Sequence, residues 1–210
     1  MQRNAMHDLL APAGLLFAAA ITPGPNNLVV LRESGRGGVR GAAGAIGGIV
    51  LGGLALFAIA AAGAGTVLAT HATLRTMLGA AGALYMAWLG LCLLGAGTRG
   101  ASPQRAGLAL PAGALGLFGF QFLNPKGWVM VLALVAAWPA TSLAGYLPLA
   151  LLFIAIPSGC LLLWSLAGRL LAAHMAQPRS RRRIDAAMGA LLLASAVLLF
   201  VDLGPTGELP

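Results

Sequence analysis

Six stretches of this chain contain no Lys, Arg, Asp or Glu: residues 9–31, 41–74, 76–98, 106–125, 127–168 and 186–201. The hydrocarbon core of a bilayer is about 30 Å thick and is crossed by about 20 helical residues. Runs of this length, repeated along the chain, leave little choice but membrane spans. The run 127–168 is too long for one crossing, and Pro139, Ser142 and Gly145 in "WPATSLAGY" read as a turn within it. Lys126 alone separates the fourth run from the fifth. The reading is six spans, near 9–31, 41–68, 74–95, 109–138, 143–168 and 185–203.

Composition agrees. Charged residues make up 9% of the chain, against about 25% in soluble domains. Barrel strands alternate apolar and polar residues, and "LGGLALFAIAAAG" does not. The fold class expected is an all-α polytopic membrane protein, with residues 1–210 forming one transmembrane domain. Arg3, His7 and Asp8 precede a run longer than a signal-peptide core, so the first span is expected to be retained.

The basic residues set an orientation. Arg32, Arg36, Arg40, Arg99, Arg105, Arg169, Arg179, Arg181, Arg182 and Arg183 follow spans 1, 3 and 5. Only Arg3 and Arg75 fall on the other side. Positive loops stay cytoplasmic, so both termini are expected outside. The run "QPRSRRR" reads as a topogenic segment that touches anionic lipid, and no nucleic-acid partner is expected. Cys92 and Cys160 lie within spans, and His7, His71 and His174 lack metal-ligand spacing. No metal, cofactor or catalytic residue is expected, because the spans offer no nucleophile–base pair.

The residues most foreign to a lipid-embedded helix are in "ITPGPNNLVV", residues 21–30. A related stretch, "FLNPKGWVMV", begins near the middle of the chain. Pro23 and Pro125 stand about half a chain apart, each in the first helix of three spans. An odd number of spans per half makes the halves enter the membrane from opposite sides, the pattern of an inverted repeat. Repeat 1 covers about 1–100 and repeat 2 about 101–210. Proline removes a backbone donor and clashes one turn back, so Pro23, Gly24 and Pro25 should break span 1, and Pro125 should break span 4. Freed backbone groups must then face protein or a wet cavity. A helix start also offers free N–H groups to an anion. Asn26, Asn27, Asn124 and Lys126 are thus the candidate substrate contacts, with Lys126 pairing with a carboxylate. Lys126 is the one charged residue deep within a span, and such residues are functional by default. No Asp, Glu or His occupies a mid-span position, which leaves Lys126 as the group to link transport to protons. Gly44, Gly48 and Gly52 in span 2, and Gly79, Gly82 and Gly90 in span 3, read as packing faces. Trp138 and Tyr146 read as interfacial belt residues.

These motifs resemble the LysE/RhtB family of amino-acid exporters over nearly the whole chain. "TPGPNN" is similar to that family's span 1 hallmark, "GRGGVRGAAGAIGGIVLG" to its entry into span 2, "GAAGALYMAWLG" to its span 3, and "FGFQFLNPKGW" to its span 4. The resemblance implies a secondary transporter in the bacterial plasma membrane that exports amino acids, driven by the proton gradient. Carried over, Pro23, Gly24, Pro25 and Asn26 belong to the first motif and Asn124, Pro125 and Lys126 to the second. Relatives that export cationic amino acids can carry an acidic residue near the start of span 2. Residues 41–68 hold none, which points to a neutral amino acid. The alternatives are another small polar or anionic metabolite, or a structural membrane protein without transport. The partners expected are the substrate, protons, the bilayer and a second copy in a homodimer.

Overall fold

Pro25 and Pro125 each stand at the first position of a helix, not inside one. Proline suits that place, because its missing N–H would have no partner there and its φ is already helical. The computed structural model describes residues 5–64, 67, 70–99, 113–138, 140 and 142–202. Within them the chain is helical, with no strand.

Span 1 consists of α1 (Ala5–Ile21) and α2 (Pro25–Gly41), bent by 57° at the break. Span 2 is α3 (Ala43–Ile59), continued by a π turn over Ala60–Ala64. Span 3 is α4 (Ala72–Arg99). Span 4 consists of α5 (Gly113–Phe120), a 3-10 turn over Gln121–Leu123, and α6 (Pro125–Ala137), bent by 65°. A 3-10 turn (Leu143–Tyr146) leads into span 5, α7 (Leu147–Ala176), and α8 (Pro178–Asp202) follows. Both expected breaks are present. Gly24 and Asn124 hold them, each extended at the residue before the proline, as steric conflict with the proline ring requires.

Among the described residues three helices are long and apolar enough to cross a bilayer, or up to five spans if each bent pair counts as one. α8 is not among them. Its charge-free part is residues 186–201, sixteen residues and so shorter than the usual crossing. Large apolar side chains such as Leu51, Leu84, Leu91, Leu163 and Leu198 point outward, as a surface facing lipid requires. The chain is thus an all-helical, multi-pass membrane protein.

The helices pair across the halves of the chain. α2 packs along α7, α3 against α5, and α4 along α8. One apolar cluster joins Leu16 of α1 and Val131 of α6 to Leu56 and Phe57 of α3 and Phe153 of α7. A second joins Val30 of α2 and Leu117 of α5 to Ile49 of α3 and Leu161 of α7. Each cluster takes one half of each broken span, so the two breaks lie between the clusters at one level. Gly53 and Pro157 fall at that level on α3 and α7.

Several local expectations change. The basic segment after span 1 is not a loop. α2 continues through it to Gly41, with a single kink at Gly38 (φ 65°). After span 5 only Gln177 separates α7 from α8. A helix satisfies its own backbone, and arginine is a good helix former, so charge alone does not end one. Tyr146 is not an interfacial residue but a buried one, packed edge-on against Phe57. Gly48 and Gly52 press on the backbone of Ala114 and Phe118, whereas Gly44 faces open space. Gly82 meets Pro125, and Gly90 meets Gly189. The segment holding Arg105, the Arg3 end and the last residues lie outside the described residues.

Candidate functional site

Breaking α1 from α2 frees the carbonyls of Ala20, Ile21, Thr22 and Pro23. In a low-dielectric interior each needs a donor, at a cost of about several kcal/mol if none is found. Side chains from four helices supply them. Asn27 Nδ2 donates to Ala20 O at 3.1 Å and to Thr22 O at 2.8 Å. Trp164 Nε1, on α7, donates to Ile21 O at 3.2 Å. Lys126 Nζ, on α6, donates to Thr22 O at 2.6 Å and reaches Pro23 O at 3.5 Å. Ser195 Oγ, on α8, donates to Pro23 O at 3.2 Å. Thr22 Oγ1 donates back to Ala18 O.

This explains how the chain tolerates a lysine in mid-span. Its ammonium sits at the carbonyl end of α1, where the helix dipole is negative. The lysine passes close to Gly24, where an added Cβ would lie 3.3 Å from Lys126 Nζ and the side chain would have to give by a few tenths of an ångström. The second proline motif therefore caps the break made by the first.

The other break carries an amide network. Gln121 Nε2 donates to Leu117 O at 3.0 Å and to Asn26 Oδ1 at 3.0 Å. Its Oε1 accepts from Asn26 Nδ2 at 2.9 Å and from Asn124 Nδ2 at 3.4 Å. A backbone carbonyl can only accept, so Leu117 O fixes which end of Gln121 is the nitrogen, and the orientation of both asparagines follows. Gln121 and Asn124 are 2% and 3% exposed. Asn124 Oδ1 is fully buried and receives no hydrogen bond from the described residues. Such an atom costs about 1–3 kcal/mol.

Asn26, Asn27, Gln121, Asn124 and Lys126 line one central cavity with Gly24 and Pro25, closed by Leu56, Phe153, Pro157 and Leu161. Its volume is about 60 Å³. A second cavity of about 380 Å³ opens among α1, α4, α6 and α8, lined by Leu15, Met86, Val129, Ser195 and Leu198. Ala19, Lys126 and Met130 border both.

The four polar residues singled out from the sequence thus meet at one place, together with Gly24 and Pro25. Pro23 takes part through its carbonyl. Pro125 lies outside the cavity wall and packs on Gly82. Asn27 spends its amide nitrogen on the carbonyls of the break. Gln121, Trp164 and Ser195 were not found by sequence reasoning. Gln121 had a signal, as an isolated amide in the apolar "FGFQFL"; Trp164 and Ser195 had none. Among the described residues no cluster of His, Cys, Asp or Glu could hold a metal.

Comparison with known proteins finds a family. The model of a family described as LysE type translocator covers residues 17–203. No curated protein and no solved structure matches.

Proposed function

Because the chain belongs to the LysE type translocator family, and is therefore a membrane transporter of small molecules, we propose that it exports a neutral amino acid from the cytoplasm. It does so as a secondary transporter of the bacterial inner membrane, by alternating access and coupled to the proton gradient. Both termini face outward in this reading, and the six spans form two inverted repeats. The pairing of α2 with α7 and of α3 with α5 supports the repeat, because each broken span then packs on the second helix of the other half.

The observation that carries the reading is the position of Lys126. Its ammonium joins two broken helices and borders both cavities. A substrate carboxylate arriving there replaces weak carbonyl partners with a full counter-charge, which is the stronger hydrogen bond. The central cavity, at about 60 Å³, has room for about two waters, so it must widen to load. The larger cavity lies on the N-terminal side of the break and serves as the outward vestibule. Residues 41–68 lack a carboxylate for a cationic side chain, which supports a neutral substrate.

The test is export from cells. Metabolites in medium and cytoplasm are measured with the wild-type chain, with Lys126→Met and without the protein. A neutral amino acid should accumulate in the medium only with the wild type. Equal accumulation with Lys126→Met at equal membrane levels would overturn the site. A wild type that changes no amino acid would overturn the substrate class.

A further inference from the structure

The amide network ends on one atom whose bonding capacity is unused. Leu117 O fixes Gln121 Nε2, Gln121 Oε1 then takes Asn124 Nδ2, and Asn124 Oδ1 is left as a buried, unused acceptor on a residue that borders the cavity. The order cannot be reversed by flipping amides. Turning Asn124 would set its oxygen against Gln121 Oε1, and turning Gln121 would set an oxygen against Leu117 O. The chain is built to present an oxygen, not an N–H. Lys126, on the same wall, presents the opposite chemistry. A ligand that satisfies both carries an anion at one end and an N–H donor at the other.

Resting on the export reading above, we infer that Asn124 Oδ1 is the acceptor for the α-ammonium of the substrate, and that Gln121 is the positioning residue that aims it. The site is then selective for zwitterions. A carboxylate without an amino group satisfies Lys126 but leaves Asn124 Oδ1 buried without a donor. The network rejects it by omission, as sites built around a buried hydrogen-bonding group reject analogues that lack the partner. Asn26 completes the device by holding Gln121 from α2 with a reciprocal pair of bonds. The amide register therefore depends on both broken spans remaining in contact, so the ammonium site forms only in conformations that keep α2 against the Gln121 turn.

The experiment uses the purified full chain in proteoliposomes. Exchange is measured for each of the twenty common amino acids. For those exchanged, two competitors follow: the desamino carboxylate, and the N-trimethylated form, which keeps the positive charge without an N–H. In the wild type both should compete at least about tenfold more weakly than the amino acid, the usual worth of one charge-assisted hydrogen bond. Asn124→Leu should weaken the amino acid to the level of its desamino analogue and leave that analogue unchanged. Asn124→Asp, which keeps an oxygen, should retain the preference. If Asn124→Leu does not reach the membrane, Gln121→Leu replaces it, and its preference should shrink through loss of the amino acid's advantage alone. An unchanged preference in the variant that is measured overturns the inference while leaving amino-acid export standing. Equal competition by all three ligands in the wild type does the same. A wild type that exchanges no amino acid overturns both readings.

Discussion

Arg32 Nη2 donates to Asp185 Oδ1 across 2.8 Å, and the pair ties α2 to the start of α8. Their side chains are 13% and 7% exposed, so this is a buried ion pair. Arg181 lies 3.9 Å from the other carboxylate oxygen. Nearby, Ser34 Oγ donates to Val30 O and accepts from Ser165 Oγ at 2.7 Å, which fastens α2 to α7. Removing one member of a buried pair leaves an uncompensated charge, at about 3–5 kcal/mol. Asp185→Ala and Arg32→Ala should each lower the unfolding temperature of the solubilised protein strongly. The double variant should lose clearly less than the sum of the two. Additive losses in that cycle would show that the residues do not act as a pair.

Lys126 and Ser195 cap the same carbonyl but should differ in consequence. Ser195→Ala removes one neutral hydrogen bond from Pro23 O, worth about 0.5–1.5 kcal/mol, and Lys126 remains within reach. Export should persist. Lys126→Arg keeps the charge but not the compact, tetrahedral ammonium, and a guanidinium holds its proton. Export by Lys126→Arg should fall sharply while the protein still inserts. Export assays on the two variants, normalised to membrane level, check the contrast. Full activity in Lys126→Arg would remove proton release by this residue from the mechanism.

Gly82 and Gly44 offer a matched pair. A Cβ on Gly82 would lie 1.8 Å from Pro125 Cβ, whereas one on Gly44 meets nothing within 4 Å. Gly82→Ala must push α4 away from the start of α6. Overpacking of this kind costs about 1–3 kcal/mol or more, and it displaces the turn that carries Lys126. Gly82→Ala should therefore lose stability and export together. Gly44→Ala should be neutral or slightly stabilising, since alanine favours a helix by up to about 1 kcal/mol over glycine. Thermal melts of both solubilised variants decide this.

Topology has a direct check. A reporter active only in the cytoplasm should be silent when fused after Pro210 and active when inserted at Gln177, between α7 and α8. Activity at Pro210 would overturn the outward placement of the C-terminus, and with it the six-span count, because the basic segments would then need a different arrangement.

The sequence by itself determined that this chain lives in a membrane, that its helices break at two matched prolines, and which polar residues flank the breaks. These follow from local chemistry. A run without charge and dominated by Leu, Ala, Val and Ile is stable only in lipid or a core. A proline flanked by Gly or Asn starts a new helix at Pro25 and Pro125, whereas Pro12 and Pro157 sit inside continuous helices. Lys126, Asn26 and Asn124 were legible because each is costly in lipid and needs a reason. What they touch was decided only by tertiary structure. That Lys126 caps the break 104 residues away depends on how α6 crosses α1, and no spacing encodes that crossing. The same holds for Asp185, which sits at the edge of a charge-free run and looks like an ordinary surface residue until α2 brings Arg32 against it. Trp164 and Ser195 are unremarkable in sequence, and become caps because packing places α7 and α8 beside freed carbonyls. The basic segments show the reverse limit. Their charge fixed an expected side of the membrane but not their shape, since a helix satisfies its own backbone in water and lipid alike. Orphaned backbone groups and buried charges must find partners, but which partners they find is settled by the global packing of helices, not by any local stretch.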